Sequence, residues 1–173
     1  MSRVIKMLAN SCNRGFTLIE MMVALSVAAI LLSIAVPSFS QSRLNSQLRA
    51  SANDLVASIN LARSEAIKRS ASVTICVSTD GENCTGGNWN QGWVVRSAAG
   101  EVLHKEAAAP AGFVIKEAAA TSALVFQSTG VDTTPGTFTV CRASPSPGSQ
   151  ERVITVDATG RAALKRTSTG ACS

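Results

Sequence analysis

One histidine and five cysteines are the side chains through which this 173-residue chain could do chemistry. Cys12, Cys76, Cys84, Cys141 and Cys172 contain no C-x-x-C pair, and with His104 as the single imidazole they form no zinc ligand set. No metal and no cofactor is expected. A Ser-His-Asp arrangement would have to run through His104. That residue lies between Leu103 and Lys105 in a stretch that reads as a strand, so an exposed structural role is the reading. No glycine-rich phosphate loop occurs, and no enzyme activity is expected. Two other features are chemically notable. Glu20 is a lone carboxylate in an apolar run, and Arg152, Arg161, Lys165 and Arg166 gather basic charge near the C-terminus. Trp89 and Trp93 are expected to pack inside the protein rather than to form a binding surface.

The elements that hold these residues follow from composition and pattern. Hydrophobic residues make up 46% and charged residues 16%, below the roughly 25% of an ordinary soluble domain, which argues against disorder. The length fits one domain with an appendage and argues against a multi-domain enzyme. The net charge of +5 is uneven. Residues 1–15, 40–70 and 142–173 each carry +3, residues 16–39 carry −1 and residues 71–141 carry −3.

Phe16 to Phe39 is a run of 24 residues with Glu20 as its one charge. About 20 helical residues span a hydrocarbon core. Arg3, Lys6 and Arg14 precede the run and predict a cytoplasmic N-terminus. Beyond Pro37, Leu44, Leu48, Ala52, Leu55, Ile59, Ala62 and Ala66 recur every three or four residues, the stripe of an amphipathic helix. One helix from Phe16 to Arg69, bent at Pro37, is predicted.

From Val73 the texture becomes that of short strands. They are expected at Val73–Val77, Gly92–Arg96, Val102–Lys105, Gly112–Lys116, Ala123–Phe126, Thr137–Cys141, Arg152–Val156 and, weakly, Ala162–Lys165, with a glycine-rich loop over Asp80–Asn90. The fold class is α+β: a long N-terminal helix, half membrane and half amphipathic, packed on an antiparallel β-rich head. The segments are residues 1–15, 16–39, 40–70 and 71–173.

The run is too long for the core of a secretory signal peptide, and a plain anchor leaves Glu20 unexplained. Gly15-Phe16-Thr17-Leu18-Ile19-Glu20 resembles the processing site of type IV prepilins and pseudopilins. The resemblance implies that residues 1–15 are a leader cut after Gly15 by a prepilin peptidase. Phe16 is then N-methylated, Glu20 serves assembly, and Pro37 is the helix-kinking proline. The later order of Ala62–Arg69, a Cys-bearing strand, Trp89-Asn90-Gln91-Gly92-Trp93, a phenylalanine strand ending in Gly130, and Gly160-Arg161 resembles the GspH/FimT family of minor pilins and pseudopilins. That resemblance covers nearly all of residues 15–166.

It implies a minor pilin of the FimU or FimT type, which joins other minor pilins in a tip or priming complex. Such a complex starts type IV pilus assembly for twitching and adhesion. Its implied partners are other minor pilins, the major pilin, the prepilin peptidase, the inner membrane and the pilus assembly platform. The implied location is the inner membrane, single-pass with the head periplasmic, and then the pilus at the cell surface. Alternatives from the same family are a type II secretion pseudopilin and a DNA-binding pilin for natural transformation.

With Cys12 in the leader, four cysteines remain outside the cytoplasm, where disulfides form. Three pairings can be drawn. Cys76 with Cys84 and Cys141 with Cys172 is the one expected, closing loops worth about 2.5 and 3.5 kcal/mol in chain entropy. For DNA, FimT-type pilins carry a Gly-Arg-x-Arg tail. Gly160-Arg161 matches it, Ala163 stands at the second arginine, and Lys165 and Arg166 follow. As a strand, this stretch would put Arg161, Ala163 and Lys165 on one face.

Overall fold

The computed structural model describes residues 15–144, 146–170 and 172, so Arg3, Lys6, Cys12 and Arg14 lie outside the described residues. Helix α1 (Leu18–Arg69) is followed by β1 (Val73–Val77), β2 (Trp93–Ser97), β3 (Val102–Glu106), β4 (Phe113–Glu117), β5 (Ala123–Phe126), β6 (Gly136–Arg142), β7 (Glu151–Val156) and β8 (Ala162–Thr167). Two compact units divide the chain between Ser42 and Arg43.

The first unit is the start of α1. Residues 16–42 are all exposed, and the most apolar window has a mean hydropathy of 2.4. Ile, Leu, Val and Met side chains recur around this part of the helix without a polar stripe, as lipid or a bed of other helices demands. Pro37 lies inside α1, where its missing N–H leaves the Ser33 carbonyl without the usual helical donor.

The second unit has its own core. Leu48, Ala52, Leu55, Ile59, Ala62 and Ala66 of α1 are buried, and Leu44 is half-buried against them, the face that the sequence periodicity predicts. Three of these are alanines, which lets strands approach the helix closely. The helix stops at Arg69 because Ser70 turns to a positive φ of 50°. The Ala71 N–H then donates back to the Ala66 carbonyl at 3.2 Å. The Arg69 side chain bonds Glu65 one turn back and reaches Glu101 before β3.

The strands make two antiparallel four-stranded sheets. Sheet A runs β3-β2-β1-β5 and sheet B runs β4-β6-β7-β8. The chain leaves sheet B after β4, adds β5 to the edge of sheet A beside β1, and returns at β6. All eight expected strands form, each within a residue or two of its predicted limits. The predicted loop differs at its end, where Trp89–Gln91 closes into one 3-10 turn. The Asn88 N–H donates to the Gln91 side-chain oxygen at 2.9 Å and holds that turn.

Candidate assembly site

At the N-terminal end, Thr17 precedes the first residue of α1. Its hydroxyl oxygen accepts the Glu20 backbone N–H at 3.3 Å, and its carbonyl accepts the Met21 N–H at 3.2 Å. Thr17 is thus an N-cap, and Thr17-Leu18-Ile19-Glu20 has the spacing of a capping box. The carboxylate stands in the first turn, where the positive end of the helix dipole favours it. Phe16 is 75% exposed and the backbone at Gly15 has open space around it. Among the described residues Glu20 forms no ion pair. Gly15, Phe16 and Glu20 lie within six consecutive residues at one helix end.

The head is held by covalent and polar devices at its loops. The structure joins Cys76 to Cys84 and Cys141 to Cys172, with Cα atoms 5.5 and 6.0 Å apart. The first bridge closes a loop that Asp80 organises. Its Oδ1 accepts the N–H groups of Glu82 and Asn83, each at 2.8 Å, and the Ser78 hydroxyl at 2.9 Å. The Asn83 and Glu82 N–H groups therefore hold the Asp80 carboxyl far below the usual carboxylate range. The turn before β8 repeats this device. Asp157 accepts the Thr159 hydroxyl and N–H and the Arg161 N–H, and its carboxyl is lowered, chiefly by Thr159 and Arg161. Gly160 has φ +70° there and approaches Thr133, Arg63 and Phe126 too closely for a side chain.

The tryptophans are core residues. Trp89 and Trp93 are each 2% exposed, and Trp89 meets Phe138 edge-on at 4.9 Å. Each indole N–H finds an acceptor. Trp89 donates to the Thr121 carbonyl at 2.8 Å, and Trp93 donates to the Ser58 hydroxyl at 3.0 Å. Ser58 in turn donates to the Asp54 carbonyl at 2.8 Å. Sequence periodicity does not mark Ser58, because a serine in an apolar stripe carries no pattern signal. His104 lies on β3 half-exposed, with Nε2 3.5 Å from Glu106.

The C-terminal basic residues are spread by the strand geometry. Arg161 belongs to the Asp157–Arg161 turn and precedes β8, so it does not extend a strand face with Ala163 and Lys165 as the sequence suggests. Lys165 pairs with Val153 and Arg166 with Arg152, so the two project from opposite faces of the edge strand. Burial pulls the Arg152 guanidinium below its ordinary value, and the like charges of Arg166 and Arg49 pull in the same direction.

Known proteins share this arrangement. A model of the prokaryotic N-terminal methylation motif matches residues 10–36, and the model described as type II transport protein GspH matches residues 51–160. The pilin-like protein PilA1 of Thermus thermophilus is 40% identical over 68 residues. That stretch is 39% of this chain and 42% of PilA1, so the chain spans under half of that relative's length. The type IV minor pilin FimU of Pseudomonas aeruginosa superposes with a TM-score of 0.55 at 25% identity, over 70% of this chain and 90% of that chain. The minor pseudopilin EpsH from the type 2 secretion system of Vibrio cholerae matches in fold, with a TM-score of 0.50 at 16% identity over 69% and 96% of the two chains. These relatives are structural subunits of pilus or pseudopilus type. With a methylation motif at its start, a pilin fold behind it and a family match over residues 51–160, the chain belongs to the GspH family of minor pilins and pseudopilins.

Proposed function

We propose that the chain is a minor pilin that joins other minor pilins in a tip complex and primes type IV pilus assembly. The observation that carries this reading is the conjunction of Gly15-Phe16-Thr17-Leu18-Ile19-Glu20 with an exposed apolar helix that starts at the same point. The likeness to FimU over 90% of that minor pilin supports it. In this reading a prepilin peptidase cuts after Gly15 on the cytoplasmic side, and the new amine of Phe16 is methylated. The start of α1 stays in the inner membrane with the head in the periplasm, where the four cysteines are oxidised. A carboxylate in lipid costs about 3 kcal/mol at the helix centre and less near a headgroup. Extraction into a filament removes that cost if Glu20 meets the terminal amine of an adjacent subunit. The pair then sets axial register, and Pro37 bends the helix as it packs.

Glu20→Ala tests the reading. The variant should be cleaved and inserted as the wild type is, yet be absent from sheared filaments and fail to restore pilus number in a deletion strain. Normal incorporation overturns the assembly role. A mature N-terminus near Ala35–Ser38, found by mass spectrometry, overturns the pilin processing itself. The family description favours a second reading, a pseudopilin of type II secretion. A deletion strain that keeps its pili and twitching but loses exoprotein secretion would select it.

A further inference from the structure

Three neighbouring strands of sheet B carry an arginine at the same end and on the same face. Val140 of β6 pairs with Arg152 of β7, and Arg152 pairs with Arg166 of β8. Arg142 follows Val140 by two residues, so it shares that face one diagonal step from Arg152. Residues directly opposite on adjacent strands have Cβ atoms about 5 Å apart, where like charges destabilise the sheet. Arg152 and Arg142 are also buried, at 5% and 7% exposure. Helix α1 adds Arg49, whose charge reaches Arg152.

The usual compensation is missing. Arg69, Lys68 and His104 each have a carboxylate, but among the described residues Arg49, Arg142, Arg152 and Arg166 form no ion pair. Arg152 donates to the Glu151 backbone carbonyl at 2.9 Å. The Glu151 side chain belongs to the other face by alternation, and accepts the Thr167 and Thr169 hydroxyls. Beside Arg166 lies a recess of about 360 Å³ lined by Ser149, Gln150, Arg166, Thr167 and Ser168, all hydrogen-bond donors and none acidic. On the same face of β8 as Arg166, Leu164 is 44% exposed.

We propose that this end of sheet B, with Arg49, Arg152, Arg166 and Leu164, docks a carboxylate-bearing face of a neighbouring pilin-class subunit. The inference rests on the pilin reading and names the chemistry of one contact in it. A planar guanidinium fork matches a carboxylate, and Arg166 presents its fork beside the recess. An apolar Leu164 beside the charges suits a protein partner. Single-stranded nucleic acid fits less well, because Trp89, Trp93, Phe113, Phe126 and Phe138 of the head are all buried and leave no stacking platform. Pilin-class heads can supply the complementary charge, as residues 71–141 of this chain, with a net −3, illustrate.

The test uses the full chain expressed in its own host. Arg49→Glu with Arg166→Glu changes two exposed side chains and spares the buried pair. Cleavage and membrane level should match the wild type, and thermal unfolding should be no lower because each new carboxylate relieves the like charge on Arg152, while recovery in sheared filaments falls at least tenfold. Arg49→Lys with Arg166→Lys should retain most incorporation. A photo-reactive side chain at position 164 should crosslink to a subunit with a prepilin motif, at a peptide containing Asp or Glu. Wild-type recovery of the charge-reversed variant, or a crosslink only to proteins that are not pilins, overturns the proposal. If the wild type itself never enters filaments, the pilin reading fails instead. Detergent-purified protein titrated with duplex DNA supplies the last arm. DNA binding lost on charge reversal, with incorporation unchanged, would assign the surface to nucleic acid and overturn the docking of a subunit.

Discussion

Ser58 is one hydroxyl in the buried stripe of α1, yet it satisfies the Trp93 indole while donating to the Asp54 carbonyl. Ser58→Ala keeps the helix and the volume nearly unchanged but strands a buried N–H. A buried donor without a partner costs about 1–3 kcal/mol. Chemical denaturation of the 43–173 unit should show a loss of that size with an unchanged slope. A loss below a few tenths would mean that Trp93 finds another acceptor. Glu20 is the contrasting case at this scale. Its carboxylate is exposed at a capped helix end and makes no ion pair among the described residues, so Glu20→Ala should leave head stability untouched and act on assembly alone.

Among the elements, β6 and the C-terminal tail depend on each other through Cys141 and Cys172. The bridge spans 31 residues of chain and encloses β7 and β8. Chain entropy assigns such a loop about 3.5 kcal/mol. Cys141→Ser with Cys172→Ser should destabilise the head by a large part of that amount. Non-reducing peptide mapping of the wild type should recover Cys76 with Cys84 and Cys141 with Cys172, and recovery of crossed pairs would contradict the structure. Strand positions were legible at this scale because β-branched runs alternate with glycine-rich turns. Pairing was not. β5 joins β1 across about 50 residues of chain, and nothing in either strand's pattern names its partner.

At the scale of the whole molecule, four depressed carboxyls tie stability to pH, among them Glu65, which the Arg69 and Lys68 side chains lower. Asp80 and Asp157 are lowered by the N–H and hydroxyl groups they accept. At Glu117 burial acts upward but is outweighed by Thr121, Thr137 and Ala119, leaving it lowered. A carboxyl lower in the folded state contributes stability above its unfolded pKa and loses it as pH falls through the folded one. Stability should therefore be level from neutral pH to about 5 and decline below about 4, the unfolded carboxylate range. Asp80→Asn should lessen the decline in a pH series of thermal melts. A melting temperature that stays level down to pH 2 would overturn this coupling.

The sequence by itself determined what periodicity and composition encode. An apolar run with one acid behind a glycine marks the N-terminal methylation motif, a three-four stripe marks the buried face of α1, and short β-rich segments mark the head. These are local signals, because each reports how one segment meets water or lipid. The tertiary structure decided what depends on register between segments distant in sequence. It put Lys165 and Arg166 on opposite faces, left Arg161 in a turn, and stacked Arg142, Arg152 and Arg166 at one end of sheet B. A strand shows its alternation in its own residues, but which charge lies across from it is set by hydrogen bonds to another strand. The basic charge of Arg152 and Arg166 therefore shows along the chain, but its stacking with Arg142 on one face is plain only in the sheet.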